Sequence, residues 1–225
     1  MAGYYYDFKS LSLSKLKEKI KNTELLPSQK ILLEKIDERF DLIESQNINN
    51  IFELQEILKT KNKTTEFARK TGILEEYLIV LRREVNSYQS KSRKLSEFPG
   101  MKKEIIEKLA KKGIKDTGQL FDFITTRKSR EDLEKELNLT NDDVIVLAKL
   151  TDVSRLRYVG PNFAMLLVST QYDTVEKVQK ADYNKLYEDL IKINKKEDYY
   201  KGNIGLKDMK FFVNDANFFP LVIEY

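Results

Sequence analysis

The chain of 225 residues contains no cysteine and no histidine. Without cysteine there is no disulfide and no thiolate metal site, which suits a reducing compartment. Without histidine the chain lacks both the usual acid–base group near neutral pH and the commonest metal ligand. Acid–base chemistry would fall to Asp, Glu, Lys, Tyr, Ser or Thr alone. Glycine and proline are also sparse, at eight and four residues, and no segment is Ser/Gly-rich or of low complexity. Long apolar runs are missing too: no stretch approaches the ~18 continuous apolar residues of a membrane span. The aromatic N-terminus is soon interrupted by Asp7 and Lys9 and has no apolar run of signal-peptide length. These absences predict a soluble, cytoplasmic chain with no membrane contact. There is also no phosphate-loop Gly-Lys-Ser/Thr, no dinucleotide fingerprint and no convincing catalytic constellation. The chain is therefore read as non-catalytic, with no metal and no cofactor.

What is present is a chain 41% hydrophobic and 34% charged, long enough to bury a sizeable core. It repeats itself at a fixed offset of 66 residues. Ile48 lands on Ile114, Leu54 on Leu120, Thr60 on Thr126, and Ile79-Val80-Leu81 on Ile145-Val146-Leu147. A looser third copy follows at an offset of 58, where Gly113-Ile114 through Leu120 reappears as Gln171-Tyr172 through Val178. Such internal repetition fixes architecture before any motif does. Apolar residues fall at three- and four-residue spacing, which predicts helix nearly throughout. Asn50, Asp116 and Thr174 hold equivalent positions as N-caps. Glu53 and Gln119 stand three residues on to close capping boxes, whereas Lys177 in the third copy cannot. Ser129 before Asp132 and Thr140 before Asp143 read as further helix starts.

The expected fold is all-α: serial short-helix repeats of helix-hairpin-helix (SAM-like) type, four helices to a copy. In the second copy they fall at about 102–112, 117–126, 130–137 and 141–150. The expected segments are 1–24 (aromatic arm and a leading helix over 10–22), 25–90, 91–155 and 156–225. The polar stretch 89–94 reads as a linker. The closing residues 218–225 read as an apolar tail or short strand packed on the last repeat.

Two segments carry the most specific pattern. Phe98-Pro99-Gly100-Met101-Lys102-Lys103 leads into Ile105-Ile106 and Leu109, and Leu156-Arg157-Tyr158-Val159-Gly160-Pro161-Asn162 leads into Phe163-Ala164-Met165-Leu166-Leu167. Both resemble the helix-hairpin-helix turn, an apolar residue followed by Gly-apolar-Gly. Over about 95–220 their tandem arrangement resembles an uncharacterised bacterial domain-of-unknown-function family built from such units. Over 25–90, where Leu26-Pro27-Ser28 has no Gly, the resemblance is faint. It implies that backbone amides near Gly100, Lys102, Lys103, Gly160 and Asn162 approach a DNA phosphate. The physics is general: unpaired amides and the helix dipole favour an anion, and Gly removes the side chain that would hold it off. Each turn keeps only one of the two glycines, with Lys102 in place of the second in one and Tyr158 in place of the first in the other.

Charge is uneven. Lys91 to Arg130 carries twelve basic residues against five acids, an excess of +7 within a chain of net +4. A basic excess beside such turns is what a nucleic-acid footprint looks like; a solvated helix face laced with pairs such as Glu104–Lys108 is the alternative. The expected function is a non-catalytic nucleic-acid-binding module with little base specificity. Its contacts would be Gly100, Lys102, Lys103, Lys111, Lys112, Arg127, Gly160 and Asn162, with DNA as the partner. The alternative is a protein-interaction or scaffold module, with a protein partner or self-association through aromatic termini such as Tyr4-Tyr5-Tyr6.

Overall fold

A computed structural model of the chain describes residues 3–23 and 25–225. Residues 1, 2 and 24 of the expected segment 1–24 lie outside the described residues. The described chain is all-helical with no named strand. Its α-helices are α1 (Leu13–Asn22), α2 (Ile36–Glu44), α3 (Ile51–Ile57), α4 (Lys61–Thr71), α5 (Glu75–Ser87), α6 (Lys103–Lys111), α7 (Thr117–Phe121), α8 (Arg127–Leu137), α9 (Asn141–Val153), α10 (Pro161–Val168), α11 (Val175–Gln179), α12 (Tyr183–Glu197) and α13 (Leu206–Ala216). Two 3-10 turns, Pro27–Leu33 and Leu95–Glu97, precede α2 and α6. The chain forms two compact units: Asp7–Gln89, holding α1–α5, and residues 3–6 together with Ser90–Tyr225, holding α6–α13.

Helices α2–α5, α6–α9 and α10–α13 take matching roles, and local chemistry explains why. The second helix of each set is N-capped by Asn50, Asp116 or Thr174, whose side-chain oxygen accepts the amide three residues on. Glu53 and Gln119 close the box one residue earlier than expected, accepting from the amides of Asn49 and Lys115. The third helix is capped by Thr60, Thr126 or Asp182. This corrects two sequence expectations. Ser129 is no N-cap but the third residue of α8, bonded back to Thr126. The helix expected over 117–126 stops at Phe121, because Thr126 already begins the next one.

Left-handed backbone obeys the same order. The third helix of each set ends on such a residue, at Gly72, Asn138 and Asp198. The first helix of two sets is followed by one, at Asn47 and Gly113, and the first helix of all three is preceded by one, at Lys35, Gly100 and Tyr158. These eight are all the positive-φ residues described. Asn and Asp tolerate this region and Gly adopts it freely, so Lys35 and Tyr158 are the costly members.

Core positions 66 apart match as well. Leu54 and Leu120, Leu58 and Ile124, Phe67 and Leu133, Ile73 and Leu139, and Leu81 and Leu147 are all buried. Each such side chain contributes about 1.5–3 kcal/mol on leaving water. Even a buried polar contact is kept: Thr64 donates to the Leu58 carbonyl at 3.2 Å, and Arg130, 66 residues on, donates to the Ile124 carbonyl at 2.8 Å.

The stretch read as a linker is pinned. Arg93 and Lys94 run alongside the α7 cap: the Thr117 amide donates to the Arg93 carbonyl, and the Leu95 amide to the Lys115 carbonyl. The aromatic arm is built into its unit too. Tyr4 is buried with its hydroxyl 2.8 Å from Thr117 Oγ1, and the Tyr6 ring packs edge-on against Phe219. Only Tyr5 of the three is exposed.

Candidate functional site

The two turns ahead of α6 and α10 have the same backbone. In the first, Met101 N–H donates to the Phe98 carbonyl at 3.4 Å; in the second, Val159 N–H donates to the Leu156 carbonyl at 3.3 Å. The third residue of each is left-handed, Gly100 at φ 74° and Tyr158 at φ 65°. Pro99 then Gly100 is the residue order that a turn with positive φ at its third position demands. Tyr158 fills the same place at a cost of about 1–2 kcal/mol, since its Cβ crowds the carbonyl. Lys102 and Gly160 are the matching N-caps, and no described side chain caps either helix. The first amides, from Lys103 in α6 and from Asn162 in α10, where Pro161 opens the helix without an N–H, therefore have no side-chain acceptor among the described residues.

What surrounds the turns differs. Beneath Tyr158 the Arg157 guanidinium is buried, 3.4 Å from Asp215 and 4.8 Å from the Tyr158 ring centroid. The Tyr158 ring itself stays 60% exposed, with Phe211 6.2 Å away. Arg93 donates to the Val159 carbonyl at 3.1 Å and Ser90 to the Leu156 carbonyl at 2.8 Å, so two carbonyls of this turn are satisfied by residues 90 and 93. At the first turn the charge is outside. Lys102 Nζ lies 2.7 Å from Asp143 Oδ1, at the start of α9. That bond holds the Lys102 ammonium above its ordinary range and the Asp143 carboxyl below its own.

The expected contact residues are scattered in state as well as place. Gly100 is exposed at the first turn and Lys103 opens α6, exposed and without an ion pair among the described residues. Lys111, at the other end of α6, is also exposed and without an ion pair among the described residues. Lys112 is engaged by Glu136 and lies over the Phe123 ring. Arg127, at the start of α8, is exposed but paired with Glu131 at 3.0 Å. Gly160 and Asn162 sit at the start of α10, half-buried and exposed respectively. Of the twelve basic residues in the 91–130 stretch, Lys91, Lys94, Lys103, Lys111, Lys115 and Lys128 are exposed and free of ion pairs among the described residues; four others are ion-paired there and two, Arg93 and Arg130, donate to backbone carbonyls.

Sequence reasoning missed the buried arginines. Arg155 and Arg157 flank Leu156, and Asp152 stands three residues before Arg155, about one helical turn. That spacing of acid and base was the available signal. Among the described residues no group of three or more acidic side chains is placed to hold a metal ion, and no helix is long and apolar enough to cross a membrane.

Most of the first turn, the whole of the second and helices α6–α13 fall within one family match. The model of a domain of unknown function, DUF4332, matches residues 99–218, just over half of the chain. The chain belongs to the DUF4332 family. No curated protein and no solved structure matches it. The DUF4332 region opens inside the first turn and closes at Phe218, leaving the tail beyond it.

Proposed function

We propose that this DUF4332 protein is a non-catalytic nucleic-acid-binding module that grips the phosphate backbone through two helix-hairpin-helix-like turns, with little base specificity. One observation carries the reading: α6 starts uncapped behind a left-handed glycine, with Lys103 exposed at that end and without an ion pair among the described residues. Open amides, a helix dipole and a spare cation together favour an anion. Contacts to phosphate position a protein without reading bases, and among the described residues the arginines beside the second turn, Arg93 and Arg157, are engaged by the Val159 carbonyl and Asp215 rather than turned to a base edge. Lys102 joins only by exchanging Asp143 for phosphate. Lys112 and Arg127, already paired, contribute less than their charge suggests.

A second reading, a protein-interaction module, is favoured by Tyr158. A ring left 60% exposed on strained backbone is interface material.

Fluorescence anisotropy with a labelled duplex, titrated against salt, separates the two. Phosphate binding gives affinity that falls steeply with salt, and Lys102→Glu/Lys103→Glu flattens the slope by about 0.9 for each phosphate no longer neutralised. Asn162→Glu, which sets an acid beside the first amides of α10, should weaken binding at the second turn. Absence of binding at ~50 mM salt overturns the nucleic-acid reading and leaves the interaction module.

A further inference from the structure

Beyond the DUF4332 region the chain lies against elements other than its own helix. Phe219 is fixed: it is buried, and Gln179 Nε2 donates to the carbonyls of Ala216 and Phe219 at 2.9 and 2.8 Å. From Pro220 onward there is no regular secondary structure, and the hold thins. Arg155 Nη2 donates to the Pro220 carbonyl at 3.0 Å, the Glu224 amide donates to the Thr125 carbonyl at 2.9 Å, and the Tyr225 hydroxyl lies 3.4 Å from Asp152 Oδ2. The Arg130 guanidinium sits 5.8 Å from the Tyr225 ring centroid. Val222 and Ile223 are half-buried against the core, while Leu221 and Tyr225 remain 54% and 52% exposed.

The receptor side is built without the tail. Asp152 and Arg155 form a buried pair at 2.9 Å, and the Val175 amide donates to Asp152 Oδ2 at 2.9 Å. Burial pushes the Asp152 carboxyl up, with the Arg155 guanidinium pulling against it. One outer nitrogen of Arg155 and the shared Oδ2 of Asp152 then face the tail.

We propose that this groove, framed by Thr125, Arg130, Asp152 and Arg155, is a peptide-binding site. Residues 220–225 occupy it as a displaceable strap, and the same segment of a second copy of this chain is its occupant in trans. The groove's features match that segment: a cation for the tyrosine ring, an acid for its hydroxyl, a carbonyl for the glutamate amide and an apolar floor for Val222-Ile223. An identical tail meets every one of them, which is how exchange of an element between protomers yields a dimer without new contacts. Six extended residues reach about 20 Å from the Phe219 anchor, enough for two facing copies to trade straps.

The test uses the full chain and a labelled peptide of residues 220–225. Val222→Asp/Ile223→Asp and, separately, Glu224→Pro eject the chain's own strap, with circular dichroism reporting that each variant stays folded. Both should bind the peptide at least ten-fold more tightly than wild type, whose strap competes. Concentrated wild type should contain a dimer by sedimentation, and excess peptide should dissociate it. Equal binding by wild type and variants, or none by folded variants, overturns the groove. A wild type that stays monomeric while the variants bind peptide overturns the second copy as occupant. Unfolding of both variants overturns the proposal too, because a strap that leaves does not carry the fold.

Discussion

The turns before α6 and α10 share one backbone and divide their chemistry in opposite ways. The first has its glycine at the left-handed position and a lysine at the helix start; the second has its glycine at the helix start and forces a tyrosine left-handed. Ahead of the left-handed glycine stands Pro99, which stiffens the turn and carries no charge. At the matching place in the second, Arg157 is buried against Asp215 and carries the Tyr158 ring. One turn is thus relaxed and charged on its surface; the other is strained and charged in its interior. A repeat preserves the path of the chain because path is set by sterics, whereas side chains are free to be used for solvent in one place and for packing in another.

Substitution at that matched position gives the largest contrast. Arg157→Ala removes a buried guanidinium from beside Asp215 and the Tyr158 ring, and should cost about 3–5 kcal/mol in urea unfolding. Pro99→Ala should cost less than about 1 kcal/mol, since only unfolded-chain entropy changes. Similar losses at both sites would mean that Arg157 is no more structural than its counterpart.

The left-handed residues should then move in opposite directions. A Cβ at Gly100 meets nothing within 4 Å, so Gly100→Ala should cost about 1–2 kcal/mol from conformation alone. Tyr158→Gly removes that strain but adds backbone entropy to the unfolded chain. A net gain of about 0.5–1 kcal/mol is expected after both terms. A loss instead would show that the contacts of the Tyr158 ring to Arg157 and Phe211 outweigh the strain.

How much of this the sequence discloses depends on range. Caps at Asn50, Asp116, Thr140 and Thr174 were legible because a cap is decided within four residues. Thr126 was not, since Ser129 offers the same chemistry three residues later; its alignment with Thr60 held the answer. The equivalence of Gly100 with Tyr158 was legible from the repeat, but the sign of φ at a tyrosine is not written in its identity. Charge was the least legible. Lys102 and Asp143 are 41 residues apart, and Lys112 and Glu136 are 24 apart, so a basic run in the sequence says nothing of which cations are already taken. The tail read as apolar packing has its anchors at Thr125, Arg130 and Asp152, which no local pattern links to it.

The smallest effect probes the ion pair that sets the turns apart. Thr140 donates to Asp143 Oδ2 at 2.7 Å while Lys102 takes Oδ1. Asp143→Asn keeps an oxygen for Thr140 and removes the charge that occupies Lys102. Stability should change little, because exposed pairs contribute at most about 1 kcal/mol. Affinity for DNA at ~50 mM salt should rise by about two- to three-fold, with a salt slope steeper by up to about 0.9 as one more lysine reaches phosphate. Acid works in the same direction. The folded-state pKa of Asp143 is lowered, so the pair's contribution is complete above the ordinary carboxylate range and is lost as pH falls through the lowered value. Lys102 is therefore freed only below that range, and neutral buffers leave it engaged. An unchanged affinity and slope in the Asp143→Asn chain would mean that the first turn meets no anion, and that the two turns differ only in how each is held in place.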